Sequence, residues 1–422
     1  MKKISLVSIL ILAFFMTYCK VGRTVLPANN QSENAKQETT KEPAGIVAPK
    51  VYPSEYRGVW LMPFMEDLNS KEAITNAIKE LKESNFNLVL PVAFRRGCAY
   101  YNSEIAPSFP PNSPKPDFDP LAEIISAAHN TSNGQIYMEV HPWIVVTAIW
   151  YEEDGISPKG HILSQHPEWD TSFDPPKTYD GKKWFHHLDP GVPQSGDYIT
   201  MICEEIATKY NIDGINLDYI RYLEGGTGYN KIALERYFKE TGKTEKPKTN
   251  DSDWIKWRQE QVTSIVKKVR QKLNQIDSQI ILSACTIDWG SISNGFENTR
   301  TYNDVAQDCV LWCKEGLIDL NMPMNYRDYS NLTKQKEFEE WTKFAINNSG
   351  KAKVLNGLGA YLNTIDDTLR QVSLTQELKG QGIVIFRWGA CNKETLPNQA
   401  LFKKLKETMF KNPASGIKRR KF

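Results

Sequence analysis

Short apolar runs, each followed by a longer amphipathic stretch, repeat along residues 51–411. The runs predict strands at 57–62, 87–92, 135–141, 213–219, 279–286, 318–325, 353–360 and 382–388. The stretches between them predict helices at 71–84, 120–129, 197–210, 252–276, 334–347, 367–378 and 394–410. Strands separated by helices imply β-α-β units and a parallel sheet. We therefore expect a (β/α)8 TIM barrel with long loops at its C-terminal face.

A doubly wound open sheet is the alternative fold for such an alternation. No glycine-rich phosphate-binding turn follows the first predicted strand, and this favours the barrel. The longest predicted loop, 143–193, carries an unusual aromatic load of Trp150, Tyr151, Trp169, Tyr179, Trp184 and Phe185. Such rings could stack on sugar rings in a groove, or they could form a hydrophobic cluster that holds the loop down.

The fourth predicted strand, 213–219, places carboxyl groups in an otherwise apolar, β-branched run. Asn216 and Asp218 fall on one face of this strand, because side chains alternate with a period of two. Asp218 then stands at the C-terminal mouth, where a barrel places its reacting groups. We interpret Asp218 as catalytic, and the alternative is that it caps the next helix or pairs with Arg221.

The first 19 residues have the layout of a secretory signal peptide. Lys2 and Lys3 precede an apolar run, 4–16, that is too short for an ordinary membrane-spanning helix. Cys19 ends this run and predicts an acylated lipoprotein of the bacterial envelope, in the periplasm or the outer membrane. Simple secretion is the alternative. A Cys19→Ala variant that stays in the membrane fraction would contradict the lipid anchor.

The remaining chain divides into three predicted parts. Residues 20–50 are polar and mixed in charge, which is typical of a flexible tether. Residues 51–411 are expected to form one barrel domain, and residues 412–422 a basic, disordered tail. The formal net charge is only +2, and the basic residues are spread along the chain, so nucleic acid is not an expected partner.

Six cysteines follow Cys19 without any CxxC pair, so no metal site and no cofactor is expected. Export would permit disulfides. Cys309 and Cys313 stand at helical i, i+4 spacing, and whether they form a strained bridge stays open.

A series of short motifs in the first four predicted strands and the segments that follow them resembles the glycosyl-hydrolase-like family ten. The motifs are RGVW (57–60), FR (94–95) with Gly97 and the pair Tyr100 and Tyr101, DPL (119–121) with His129, EVHPW (139–143), LDPG (188–191), DGI (213–215) with LDY (217–219), and RY (221–222). The resemblance runs from residue 55 to about residue 326. It implies a (β/α)8 glycoside hydrolase of the bacterial envelope, with peptidoglycan-type glycan strands among the expected substrates.

Glycoside hydrolysis needs two carboxyl groups that flank the scissile bond. Asp218 is the candidate for the ionised group, as nucleophile or as the base that activates water. Glu139 and Asp288 are the candidates for the acid, on strand three and just past strand five. Glu139 is favoured because it lies inside a matched motif. Its structural alternative is an inward ion pair with an arginine.

Further residues at predicted strand ends are candidates for substrate binding. Arg57 and Arg95 could orient a catalytic acid or hold an acidic sugar such as a muramic acid. The others are Trp60, Tyr100, His141, Trp143, Asn216, Arg221, Tyr326 and Trp388.

Three functional hypotheses follow. The first is a hydrolase of a peptidoglycan-type or related amino-sugar polysaccharide. The second is a catalytically silent carbohydrate-binding lipoprotein on the same barrel. The third is a deacetylase or esterase, although neither a metal triad nor a Ser-His nucleophile elbow is apparent in the sequence.

Overall fold

The structure is a computed structural model that describes residues 50, 53–108, 118–174 and 185–415. The predicted signal peptide with Cys19, the tether up to residue 49, the end of the basic tail and the aromatic residues Tyr179 and Trp184 fall outside this part of the chain. Among the described residues, no helix combines the length and the apolar character that crossing a membrane requires.

The core of the molecule is a closed parallel barrel. The described strands are β1 (Tyr56–Leu61), β2 (Leu88–Arg95), β3 (Cys98–Ala99), β4 (Glu139–Val140), β5 (Trp143–Val145), β6 (Ala148–Tyr151), β7 (Phe185–His187), β8 (Gly214–Asp218), β9 (Ile281–Thr286), β10 (Leu320–Pro323), β11 (Lys353–Gly359) and β12 (Gly382–Phe386). Eight positions make the barrel, in the order β1, β2, β4 with β5, β8, β9, β10, β11 and β12. Because β1 pairs with both β2 and β12, the barrel closes, and the open-sheet alternative is wrong.

Helices surround the barrel. They are α1 (Lys71–Glu83), α2 (Pro120–His129), α3 (Ile162–Gln165), α4 (Pro193–Lys209), α5 (Lys231–Thr241), α6 (Ser252–Ile276), α7 (Arg300–Asn303), α8 (Cys309–Glu315), α9 (Leu332–Asn347), α10 (Ile365–Glu377) and α11 (Gln399–Thr408). Side-chain caps define several of their starts: Ser70 accepts a hydrogen bond from the Ala73 N–H at α1, and Asp119 from the Ala122 N–H at α2. The sequence predicted α1, α2 and α6 to within one residue, but it did not predict α3, α5, α7 or α8.

Alternation along β1 separates the two apolar layers. Trp60 belongs to the cluster inside the barrel, whereas Val59 and Leu61 belong to the layer between barrel and helices. Burying a large apolar side chain stabilises the fold by about 1.5–3 kcal/mol. Arg57 shares the parity of Val59, so the same alternation turns it outward, away from the barrel interior.

The third barrel strand is broken. The sequence predicted one strand over 135–141, but the structure has β4 and then β5, separated by His141 and Pro142. Proline has no backbone N–H to donate to a neighbouring strand. Pairing resumes at Trp143, which lies opposite Asn216 of β8, and Val145 lies opposite Asp218. The break therefore divides strand three into a lower half with Glu139 and an upper half with Trp143.

The long loop after β5 contains a two-stranded hairpin that the sequence did not predict. Strands β6 and β7 pair antiparallel, and the Phe185 ring packs on Tyr151 with ring centroids 4.3 Å apart. The Trp150 indole is buried and donates a hydrogen bond to the Gly155 carbonyl at 2.9 Å. The aromatic rings of Trp150, Tyr151 and Phe185 thus mainly pack within the loop and hold it in place.

The six cysteines after Cys19 lie within the described residues, where all are buried free thiols. Cys309 and Cys313 are therefore not bridged in the structure.

Candidate active site

A cleft of about 280 Å³ opens at the C-terminal ends of the barrel strands. Its lining draws on every barrel strand or on the loop that follows it, as expected for a barrel mouth. The lining residues are Trp60, Met62, Arg95, Arg96, Trp143, Val145, Ala148, Tyr151, Asp218, Tyr219, Cys285, Met324, Tyr326, Tyr361 and Phe386.

Asp218 ends β8 and is only 4% exposed. Its Oδ2 accepts a hydrogen bond from Trp143 Nε1 at 3.1 Å, and its Oδ1 accepts one from the Tyr219 N–H at 2.7 Å. Burial raises the pKa of Asp218, while these two donors and the positive charge of Arg221 act in the opposite direction. The carboxyl group is thus desolvated and fixed in orientation, with the ionised form supported by hydrogen bonds.

The turn after Asp218 has an uncommon backbone conformation. Tyr219 has φ of 50°, in the left-handed region that non-glycine residues rarely adopt. Thr147 Oγ1 lies 2.7 Å from the Tyr219 carbonyl oxygen and 3.1 Å from that of Arg221, where it can donate to either. Such strain persists only where surrounding contacts hold it, and it concentrates at functional sites.

Aromatic rings form one wall of the cleft. The ring centroids of Trp60 and Trp143 lie 6.5 Å apart, and Phe386 lies 6.1 and 6.2 Å from them. Tyr326 continues the wall at 5.4 Å from Phe386. Trp60 Nε1 donates to Asn216 Oδ1 at 3.2 Å, so Asn216 lies below the wall inside the barrel rather than in the cleft. Ring faces and edges of this kind suit the apolar faces of sugar rings.

Arginines supply the positive charge of the site. Arg96 is ion-paired with Asp154 at 2.6 Å. Arg95 lies close enough to Asp218 to lower its pKa electrostatically. Arg221 is buried, with its guanidinium 4.4 Å from the centroid of the Tyr219 ring. Arg95 is therefore the arginine that the structure places best to meet a ligand in the cleft.

The structure does not bring Glu139 beside Asp218. Glu139 pairs with Leu88 at the start of β2, at the N-terminal end of the barrel. Its Oε2 lies 3.2 Å from the Tyr56 hydroxyl and 3.1 Å from His141 Nε2. Burial raises the pKa of Glu139. Glu139 and His141 thus form a buried network away from the cleft, because strand three continues to Val145 beside Asp218 and Glu139 lies near its start.

Asp288 lies at the correct end of the barrel but lines a neighbouring cavity instead of the cleft. Its Oδ2 is ion-paired with Arg327 Nη2 at 2.9 Å. Burial raises the pKa of Asp288 to about 7, although the charge of Arg327 lowers it.

Four other predicted residues do not line the cleft, and one of them is the buried Arg221 described above. Arg57 points outward, where its Nη1 donates to the Asn412 carbonyl at 2.7 Å. The Trp388 ring stacks on Phe402 of α11, with centroids 5.1 Å apart. Tyr100 is buried behind the wall, stacked on Phe64 with centroids 4.5 Å apart.

Tyr151, one of the loop aromatics that the sequence suggested could stack on sugar rings, lines the cleft. The sequence-based prediction missed several lining residues: Met62, Arg96, Val145, Ala148, Tyr219, Cys285, Met324, Tyr361 and Phe386. Most stand in or just after a barrel strand, so their position near a strand end was the available signal. No arrangement of three or more histidine, cysteine, aspartate or glutamate side chains suited to a metal ion occurs in the described ranges.

Comparisons with known proteins give consistent results. A family model described as "Glycosyl hydrolase-like 10" matches residues 55–368. The chain is 23% identical over 360 residues to "Glycosyl hydrolase YngK" of Bacillus subtilis, covering 77% of this chain and 66% of that one. It is 23% identical over 280 residues to "Glycosyl hydrolase DigH" of Escherichia coli K12, covering 62% of this chain and 59% of that one. The matches thus span less than two thirds of these relatives.

Among solved structures, the fold is similar to the PgaB (BpsB) glycoside hydrolase domain from Bordetella bronchiseptica, with a TM-score of 0.63 and 13% identity over 84% of this chain and 99% of that one. It is also similar to the α-L-fucosidase isoenzyme 2 from Paenibacillus thiaminolyticus, with a TM-score of 0.57 and 16% identity over 84% of this chain and 50% of that one. At such identities the likeness shows a shared barrel fold.

Proposed function

The chain belongs to the glycosyl hydrolase-like 10 family, as its motifs predicted, and from that premise we propose that it hydrolyses glycosidic bonds in a bacterial cell-envelope glycan. The proposed substrate is a peptidoglycan-type strand or a related amino-sugar polysaccharide. The observation that carries this proposal is Asp218, a desolvated carboxyl group fixed by two hydrogen bonds in a cleft walled by aromatic rings. A sugar ring against Trp60 and Trp143 would expose its anomeric carbon to this carboxyl group.

We assign Asp218 the role of the ionised group. It either attacks the anomeric carbon to form a glycosyl ester, which water then cleaves to release the sugar and restore the carboxylate, or it removes a proton from the water that attacks. In both cases the bond from the anomeric carbon to the leaving oxygen breaks, and that oxygen takes a proton from an acid. The donors on Oδ1 and Oδ2 favour the charged form that this role requires.

For the acid, the contacts favour Asp288 over Glu139. Glu139 lies at the opposite end of the barrel from Asp218. Asp288 follows β9 at the mouth, and a pKa of about 7 lets it hold a proton at neutral pH. Burial raises the pKa of the Tyr326 hydroxyl, and the negative charges of both Asp218 and Asp288 raise it further, so both carboxyl groups lie within electrostatic range of Tyr326. We propose that Asp288 protonates the leaving oxygen from the Tyr326 side of the cleft.

One observation favours the second hypothesis, a carbohydrate-binding protein without catalysis. Among the described residues that line the cleft, Asp218 is the one carboxylic acid. Hydrolysis with two carboxyl groups therefore requires Asp288 to act across Tyr326, whereas binding alone requires only the aromatic wall and Arg95.

Incubation with peptide-free and peptide-bearing glycan strands, followed by mass analysis of released sugars, separates the two functions. We expect the wild type to release sugars and Asp218→Asn to lose turnover by about three orders of magnitude or more, with strand binding largely kept. Asp328→Asn is the matched control, because Asp328 is a half-exposed partner of Lys393 outside the cleft. If the wild type binds strands but releases nothing, the protein is a binding protein and the hydrolase proposal fails.

A further inference from the structure

A second cavity, of about 490 Å³, lies beside the cleft. Its walls come from the loop after β9, which includes Trp289, from Arg300 at the start of α7, from Arg327 after β10, and from the first half of α9. All of these segments follow the C-terminal ends of β9 and β10. The second cavity therefore belongs to the same end of the barrel as the cleft with Asp218.

Single side chains separate the two cavities. The Arg221 guanidinium lies 4.4 Å from the ring centroid of Tyr219, which lines the cleft, and 5.2 Å from that of Trp289, which lines the second cavity. Tyr326 lines the cleft, and the next residue, Arg327, lines the second cavity. The linings of the two cavities are therefore adjacent at these two points.

The charges around the second cavity are balanced. Its lining has three basic residues, Arg300, Arg327 and Lys334, and three acidic residues, Asp288, Glu337 and Glu340. Arg327 Nε lies 3.0 Å from Glu337 Oε2, and Lys334 Nζ lies 2.9 Å from the same oxygen. The side chains of Lys334 and Glu337 remain 45% and 35% exposed, so they can exchange water for a ligand. Such a surface offers hydrogen-bond donors and acceptors side by side.

We propose that the second cavity is a sugar-binding subsite that holds another residue of the same glycan strand. A sugar hydroxyl can donate to Glu337 and accept from Lys334 or Arg327. The half-buried Trp289, whose ring centroid lies 5.2 Å from the guanidinium groups of both Arg221 and Arg300, contributes the exposed part of its indole to the wall. The volume lies within the range of small-molecule sites. The choice of ligand rests on the proposed function, but the subsite itself requires binding and no turnover.

Binding as a function of strand length tests the subsite. The probes are N-acetylglucosamine and peptide-free peptidoglycan glycan fragments of four and six sugars, and dissociation constants are measured by nuclear magnetic resonance titration of the Asp218→Asn protein. We expect the longer fragments to bind about tenfold or more tighter than the single sugar, and Trp289→Ala to remove most of that gain. Glu337→Gln should reduce the gain by about threefold or more, because it loses the charged acceptor. Neither variant should change the affinity of the single sugar.

Glu339→Gln is the matched control, since Glu339 lies on the same helix but pairs with Lys343 and does not line the cavity. Thermal unfolding of each variant shows whether it is folded. The inference is overturned if Glu337→Gln binds long fragments as tightly as Glu339→Gln does, if the loss is equal for the single sugar, or if no fragment binds. Hydrolysis by the wild type with no such length-dependent loss would keep the proposed function and reject the subsite. A length-dependent loss of binding, without hydrolysis by the wild type, would support the subsite and reject the proposed function.

Discussion

The hydrogen bond from Trp143 to Asp218 is the contact through which the cleft wall acts on the carboxyl group. A donor to a carboxylate stabilises the ionised form, so its removal raises the pKa of Asp218 further above its ordinary value. Trp143→Phe keeps a ring but deletes the donor. We expect the limb of the pH–rate profile that reports Asp218 to move to higher pH, and kcat/KM at neutral pH to fall by about tenfold or more.

Trp60→Phe is the control for this change. Trp60 lines the same cleft, but its indole donates to Asn216 and not to Asp218. Its replacement should leave that limb in place even if substrate binding weakens. A limb that shifts equally in both variants, or in neither, would mean that the Trp143 hydrogen bond does not set the ionisation of Asp218.

At the scale of single residues, the sequence was informative where a local rule held. The period of two and the position of the strand end were sufficient to place Asp218 at the mouth. The same rule predicted Glu139 beside it and was wrong, because the predicted strand ended at residue 141, whereas strand three continues to Val145 and leaves Glu139 near its lower end. For Arg57, the parity that it shares with Val59 would have indicated an outward side chain.

The lower ends of β4 and β8 carry two buried carboxyl groups whose pKa values shift in opposite directions. Burial raises the pKa of Glu139 above its ordinary 4.5. The folded state then keeps a proton that the unfolded chain releases, so stability is fully present below pH 4.5 and is lost as pH rises through the folded pKa. The Glu139→Gln variant has no ionisable group at this position, so it does not lose this stability as pH rises. We expect its free energy of unfolding, relative to the wild type, to increase between pH 4.5 and pH 8, with hydrolysis kept.

Asp213 provides the opposite case. Burial alone would raise its pKa, but hydrogen bonds from His129, the Val140 N–H and Tyr137 leave it below the ordinary 3.8. Its contribution is therefore present above pH 3.8 and is lost as pH falls through the folded pKa. Asp213→Asn should cost about 2–3 kcal/mol at pH 7, and less at pH 3. Chemical denaturation of both variants across pH checks the two signs, and the same sign for both would contradict this account.

At the scale of elements, the sequence predicted the barrel strands and most helices, because their apolar periodicity is local. It could not predict the hairpin of β6 and β7, whose pairing joins residue 148 to residue 187 across a long connection. The extent of α11 was also overestimated: the prediction was 394–410 and the structure has Gln399–Thr408. The cavity beside the cleft depends on packing between β9, β10 and α9, which no local pattern specifies.

At the scale of the whole molecule, contacts between the two described ends of the chain stabilise the fold. Arg57 of β1 donates to the Asn412 carbonyl at 2.7 Å, pairs with Glu55 at 2.7 Å, and lies 4.3 Å from the Phe410 ring centroid. We expect Arg57→Met to lower the free energy of unfolding by about 2–3 kcal/mol, because these buried contacts are lost together. The kcat/KM of the folded protein should not change.

Arg95→Met is the complementary variant. Arg95 lines the cleft, so its loss should weaken substrate binding by about tenfold while the melting temperature changes little. Thermal unfolding and kinetics measured on both variants separate the two roles. If the folded Arg57→Met protein has reduced activity, Arg57 is a substrate-binding residue, as the sequence predicted.

The position of the two described ends has a practical consequence for handling the protein. Lys50 donates to the Ile280 carbonyl and pairs with Asp319, so it lies where β9 and β10 begin, and residue 412 lies beside β1 near its start. Both described ends are thus on the side of the barrel opposite the mouth. A fluorescent label attached at residue 50 or at residue 412 would therefore lie away from the cleft and leave it facing solution.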